Sequence, residues 1–304
     1  MIKIEKKSVK NKPFFYLAEQ VNIGSKFKKI QVYLGKNIPK DLDDYLSELE
    51  KREVALVNEH LPKMYVLDSA LDMVGYKKIE TIRLHRKYSQ FNLSESKREL
   101  FLREFAMKFI FESNAIEGSK LSQTEVEKII KKQYLSKGVD RKEVLEVENS
   151  IKAFSLVTSG KFIMNQRSII GLHKTITDNL GVEQGYKTKE IIVNNKKTTP
   201  PGQVRKEMNI LLGWWKKNKN KLHPFILAAK FHQRFEIIHP FADGNGRTGR
   251  LLFNWMLSTT GYGVILFKNK NRRSYFSALD QADQGRPRKL YRHCLEVYEK
   301  TENK

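Results

Sequence analysis

The sequence predicts a mainly α-helical protein with a small α+β module ahead of the helices. Three observations carry this. From Ser94 onward, apolar residues recur at helical spacing in almost every segment. Start and stop signals bracket those segments. Only residues 13–34 and 187–199 carry β-type patterns.

The first β-type stretch reads as a hairpin: PFFYLAEQV and FKKIQVYL flank Asn22-Ile23-Gly24-Ser25, where Gly24 suits a turn. Asp41 to His60 follows as a helix, with Leu42, Leu46, Leu49 and Val54 roughly on one face. These elements make a module over residues 1–90 whose role the residues do not reveal. Residues 91–304 form the helical domain. Ser94 is placed to cap a helix to about Ile116, with Leu102, Phe105, Phe109 and Ile116 along it. Gly118 stands where that helix should stop. Ser122 and Glu125 form a capping box for the next helix. Further helices are expected over about 142–157, 168–180, 203–217, 224–237, 246–260, 273–283 and 287–300. Between Lys187 and Thr199 a short exposed hairpin is expected, centred on Asn194-Asn195 and closed by Pro200-Pro201.

Composition excludes several classes. A single cysteine, Cys294, rules out an intrachain disulfide framework and suits a reducing compartment. No stretch approaches the ~20 apolar residues of a membrane span, and the N-terminus lacks the apolar core of a secretory signal. A cytoplasmic protein without membrane attachment is expected. The net charge of +23 invites a nucleic-acid reading. The charge is dispersed, however, with +6 over 1–90 and +17 over 91–304. It reads as a Lys-rich surface, so a specific nucleic-acid partner is not expected.

Chemistry concentrates in His239-Pro-Phe-Ala-Asp243-Gly244-Asn245-Gly246-Arg247-Thr-Gly-Arg250. Gly244 and Gly246 let the backbone turn tightly and let a ligand approach. The helix starting near Gly246 directs N–H groups and a positive dipole end toward an anion. Arg247 and Arg250 lie three apart, on one face, and suit a polyphosphate. Asp243 is a hard oxygen ligand for Mg²⁺, which shares phosphate oxygens. His239 can act as a base near neutral pH. A dinucleotide fold is disfavoured, because no acidic residue occurs over 255–275. No P-loop or zinc-protease pattern is present, and His173, His223 and His232 read as core or helix-end residues.

This segment resembles the signature of Fic-domain proteins. Phe235-Glu-Ile-Ile238 before it, Gly185-Tyr186 leading to Pro200-Pro201, and Tyr275-x-x-Ala278-Leu279 are also similar to that family. The resemblance covers roughly 95–300 and implies a Fic-type helical bundle. It implies an enzyme that moves AMP from ATP to a Ser, Thr or Tyr hydroxyl of a target protein or of itself, with Mg²⁺. It assigns His239 as base, Asp243 as metal ligand, Gly244, Asn245 and Gly246 as anion hole, with the Asn245 side chain assisting, and Arg247 and Arg250 to the outer phosphates. Phe241 would pack inward and position the loop. The 187–199 hairpin resembles the family's target-binding flap, with Ile192 and Val193 clamping the target. Ser113-x-x-x-Glu117-Gly118 resembles an inhibitory helix in which Glu117 pairs with Arg250 and Ser113 steadies the helix end. Tyr275 is placed beside the adenine. Removal of AMP by the same site, polyanion binding through 1–90, and self-association stay open as alternatives or additions.

Overall fold

In the computed structural model, residues 2–91, 93–134, 138–193 and 196–302 are described. The chain divides into two compact units: Met1–Ser94 with Asn220–His223, and Glu95–Lys219 with Pro224–Lys304.

The smaller unit opens with an antiparallel meander of β1 (Lys3–Val9), β2 (Lys12–Ile23) and β3 (Lys26–Gly35). The sequence announces β2 and β3 but not β1. That strand is lysine-rich and exposed along its length apart from half-buried Glu5, so it lacks apolar alternation. Its register, Glu5 against Tyr16 and Lys7 against Phe14, is set by pairing rather than by burial. Two helices follow, α1 (Asp43–Met64) and α2 (Met73–Ser89). Leu17, Val32 and Leu34 pack against Leu46, Leu49 and Tyr88 to form the core. The α1 stripe drifts from Val54, half-buried, to Val57 and Leu61, fully buried. Glu53 also lies on the buried face, accepting from Tyr88 Oη (2.7 Å) and Lys87 Nζ (2.8 Å). The sequence reading missed α2, whose apolar face is interrupted by buried Glu80; Asp72 caps it by accepting from Gly75 N–H (2.8 Å). Glu80 pairs there with Arg83 and with His223, which is fully buried.

The larger unit is helical: α3 (Glu95–Glu117), α4 (Gln123–Ile130), α5 (Arg141–Thr158), α6 (Gln166–Ile176), α7 (Pro201–Asn218), α8 (Pro224–Ile238), α9 (Asn245–Thr259), α10 (Arg272–Asp283) and α11 (Arg288–Glu302). The capping box at Ser122 and Glu125 is formed. The small hairpin pairs β4 (Ile192–Val193) with β5 (Lys196–Lys197); its expected turn, Asn194-Asn195, lies outside the described residues. α8 and α9 occupy the centre. Phe225 to Ala229, Phe231 and Phe235 of α8 are all buried, as a helix covered on every side over its first half requires, while Ile237 near its end is exposed. Helices α3, α5 and α6 pack on α9, and α10 and α11 on α8.

Two expectations are corrected. Leu102 is 41% exposed, because α3 begins to pack only at Phe105, where Phe105 and Phe109 meet Phe154 of α5. α6 stops at Ile176 rather than near 180, and Asn179 turns left-handed beyond it. Among the described residues no helix is long and apolar enough to cross a membrane.

Candidate active site

The α8–α9 corner carries the site. α8 ends at Ile238, and His239 takes a left-handed backbone conformation (φ 48°) that is costly for a residue with a Cβ. Its N–H still donates to Phe235 O (2.9 Å), so the turn is a continuation of the helix that swings the imidazole out of line. Phe241 then plunges inward, fully buried, its ring stacked on His173 at 3.8 Å. Asn245 clamps the loop: Oδ1 accepts from Phe241 N–H and Nδ2 donates to Phe241 O, each at 2.9 Å. The loop thus engages Oδ1 and one N–H of Nδ2, so the second N–H of Nδ2 and the backbone N–H groups are the donors left for an anion.

Gly244 begins α9 at φ 77°, and no side chain caps that helix start. A side chain at Gly244 would crowd Thr177 and His173 as well as strain the backbone. The open first turn therefore aims its N–H groups and dipole at the space in front of the loop. Asp243 stands at the rim, more than half exposed; Oδ1 accepts from Gly244 N–H (2.6 Å) and Oδ2 lies 3.3 Å from Arg247 Nη2. Arg247 is buried and also lies 3.4 Å from Glu146.

Arg250 is 1% exposed. Its Nε donates to Ser113 Oγ (3.0 Å), and Nη2 donates to Ser113 O (2.9 Å) and to Glu117 Oε1 (2.7 Å). A buried guanidinium needs such a partner, since an uncompensated buried charge costs several kcal/mol. α3 delivers Ser113 and Glu117 from its last turn, and Gly118 ends the helix at φ 109°. The Glu117 carboxylate lies directly over Gly246, where even a Cβ would collide with it. Glu117 thus stands directly in front of the α9 N-terminus.

His239 borders a cleft of about 280 Å³, whose walls include Val193 and Thr198 of the hairpin, Glu236, and Phe276 and Leu279 of α10. Burial first, and then the charge of Lys187, lower the His239 pKa to about 4; Glu117, the backbone at Glu236, and Asp243 pull it back up. The imidazole is therefore neutral at physiological pH. Burial pushes Glu236 up to about 8 against the pull of Arg250. Val193 faces this cleft, whereas Ile192 is 62% exposed, because neighbouring strand residues point to opposite faces.

The sequence reading missed two residues. His173 was placed in the core, and it is fully buried, but its Nε2 also donates to Asp243 O (3.0 Å) and fixes the rim of the loop. Burial lowers its pKa to about 4, so it serves as a neutral donor. Lys187 is 2% exposed, with Nζ donating to Thr198 Oγ1 (2.5 Å) and Ile238 O (3.4 Å) and its N–H to Pro240 O (2.9 Å). It fastens both legs of the hairpin to the segment bearing His239. Only its position before the hairpin hinted at this.

Tyr275 is corrected. It is 2% exposed, and its hydroxyl bonds His232 Nε2 (2.5 Å) while its ring packs 4.9 Å from Phe267. The inward face of α10 carries Tyr275, Ala278 and Ala282, so Phe276 and Leu279 line the cleft instead. Tyr275→Phe should lower stability by about 1–2 kcal/mol through the lost hydrogen bond, read from the urea midpoint.

Asp243 can hold a divalent cation only as a shared ligand. No cluster of three or more acidic, His or Cys side chains suited to a metal occurs among the described residues. One exposed carboxylate beside a helix N-terminus fits Mg²⁺ brought with phosphate oxygens, and not a resident ion.

Residues 163–257 match the family model described as the Fic/DOC family. The chain is 28% identical over 262 residues to protein adenylyltransferase Fic of Nematostella vectensis, spanning 83% of this chain and 60% of that one. It is 28% identical over 207 residues to the protein of the same name from Aedes aegypti, spanning 66% and 41%. The chain thus covers about half the length of these curated relatives. A Fic domain containing signaling protein from Bacteroides thetaiotaomicron has the same fold, with a TM-score of 0.66 at 20% identity over 76% of this chain and 93% of that one. The signature loop and the α8–α9 corner that presents it fall in the segment that matches the Fic/DOC family model.

Proposed function

We propose that the chain is a protein adenylyltransferase that moves AMP from ATP to a hydroxyl side chain of a target protein and is held back by its own α3. The observation that carries this is the convergence of a neutral His239, an exposed Asp243 and a buried Arg250 around the uncapped start of α9. The names of the curated relatives support the same reading.

In this reading the N–H groups of Asn245 and Gly246, joined by that of Gly244 once Asp243 turns to the cation, hold the α- and β-phosphates, and Arg247 and Arg250 hold the outer ones. Asp243 would hold Mg²⁺ brought with the nucleotide, and the ion would supply charge neutralisation at phosphorus. The target hydroxyl attacks the α-phosphorus. A new O–P bond forms, the α–β bridging bond breaks, pyrophosphate leaves, and His239 takes the hydroxyl proton. The hairpin edge at Ile192 and Val193 presents the target segment as an added strand. Glu117, on Arg250 and over Gly246, keeps the phosphates from settling until it is displaced.

Incubation with Mg²⁺ and ATP labelled at the α- or the γ-phosphate tests the reaction. Label is expected on protein only from the α-position; γ-transfer would overturn adenylylation in favour of phosphorylation. Lys187 provides a second test. Lys187→Met removes a positive charge that depresses the His239 pKa, so the acid limb of the pH–rate profile should move to higher pH. Lys187→Arg should restore it. An unmoved limb in both variants would assign Lys187 to fastening the hairpin alone.

A further inference from the structure

The outer face of the β1–β2–β3 sheet gathers residues that the sequence scatters. Leu17, Val32 and Leu34 turn to the core, so strand alternation sends Phe14, Tyr16, Gln31 and Tyr33 to the opposite face. Tyr16 lies directly across from Tyr33, with ring centroids 5.3 Å apart, and Phe14 lies 6.3 Å from Tyr33. Lys7 sits across from Phe14, 4.5 Å over the Tyr16 ring, and donates to Gln31 Oε1 (3.0 Å). Lys3 and Lys29 flank the rings, both paired with Glu5. Lys12 and Phe27 share this face at its two ends by the same alternation. Tyr33 is 49% exposed and Phe27 63%. Four lysines thus stand against one carboxylate around a cluster of aromatic rings.

Each part of this face selects an occupant. Lysines around the rings suit phosphates, and partly exposed rings, Tyr33 most of them, suit flat, stackable groups once Lys7 moves from Tyr16 to a phosphate. A duplex offers phosphates but hides its base faces. An acidic peptide matches the lysines but leaves the rings without a stacking partner. An antiparallel sheet bearing exposed aromatics and basic side chains matches the chemistry of a single strand with splayed bases. We propose that this face binds single-stranded nucleic acid, with bases stacked on Phe14, Tyr16 and Tyr33 and phosphates on Lys3, Lys7, Lys12 and Lys29. No element here inserts into a groove, so binding tolerates sequence. The dispersed charge along the chain had pointed away from this partner; β1, invisible in the sequence pattern, supplies two of the four lysines. The proposal is independent of the transferase reading.

The test uses the full chain and fluorescence anisotropy with labelled oligothymidine and oligouridine of about twelve nucleotides, a length that one such surface spans. A duplex of equal length and polyglutamate serve as competitors. At about 0.15 M salt the single strands should bind at least tenfold more tightly than the duplex. The double variant Tyr16→Leu/Tyr33→Leu, checked for folding by circular dichroism, should weaken single-strand binding by about tenfold or more while label transfer from ATP stays intact. Lys7→Gln should reduce the salt slope by about 0.7. Equal affinity for single strand and duplex, indifference to the double variant, or absence of binding would each overturn the proposal. Displacement by polyglutamate with no effect of the double variant would overturn it in favour of an acidic protein surface.

Discussion

Glu117→Gly is expected to raise transfer of AMP label from ATP by about tenfold to a hundredfold. The variant removes a charge-assisted bond of about 1.5–3 kcal/mol that competes with phosphate for Arg250. It also clears the space over Gly246 that the carboxylate fills. A cost accompanies the gain. Without nucleotide, buried Arg250 would lose its nearest counter-charge and keep the two oxygens of Ser113, with Tyr275 and Glu236 as further neighbours. The apparent Tm of the free variant should therefore fall by about 2–6 °C. Addition of ATP and Mg²⁺ should raise it by more than in the parent, because the phosphates then restore the missing counter-charge. Unchanged transfer rates would refute inhibition by α3. Loss of an AMP-removing activity in the same variant would instead make Glu117 a participant in hydrolysis.

His239→Ala is expected to lower transfer by about 10²- to 10⁴-fold while leaving nucleotide binding in place, as loss of a general base does. A normal rate in this variant would remove His239 from the chemistry. The pH profile gives an independent reading. The base works when neutral, and its pKa is held at about 4, so transfer should persist from pH 8 down to about 5 and fall only as pH approaches 4. Glu117 is one of the groups that pull this pKa upward. Glu117→Gly should therefore move the acid limb lower still, opposite in direction to Lys187→Met. A limb near pH 6.5, the ordinary histidine value, would contradict the burial of His239 behind the hairpin.

The parts of the fold and site legible in the sequence are those whose determinants are local. A glycine-rich turn, a helix start and two arginines three apart lie within twelve residues, so their mutual geometry follows from helix spacing alone. The capping box at Ser122 is local in the same sense. What escaped depends on partners distant in the chain. His173 and Lys187 carry no motif of their own, and each acquires a role only by reaching a backbone carbonyl of the 238–243 segment. Tyr275 escaped for the converse reason: it suited a ligand by residue type, but a tertiary neighbour, His232, holds its hydroxyl, just as Phe241 engages much of the Asn245 amide. Strand β1 went unread because its pairing with β2, and not its own apolar pattern, holds it in the sheet.

By itself the sequence determined a helical protein with a hairpin near its start and one turn rich in anion-binding chemistry, because periodicity and glycine placement act over a few residues. Only the tertiary structure decided the state of that turn. It brought Glu117 across 133 residues to buried Arg250, whose own burial shields that side of the pair from solvent, and set the partly exposed carboxylate over Gly246 at the start of α9. Charge counted along a chain describes attraction at long range; only the fold places one carboxylate 2.7 Å from one guanidinium, where their interaction is strongest.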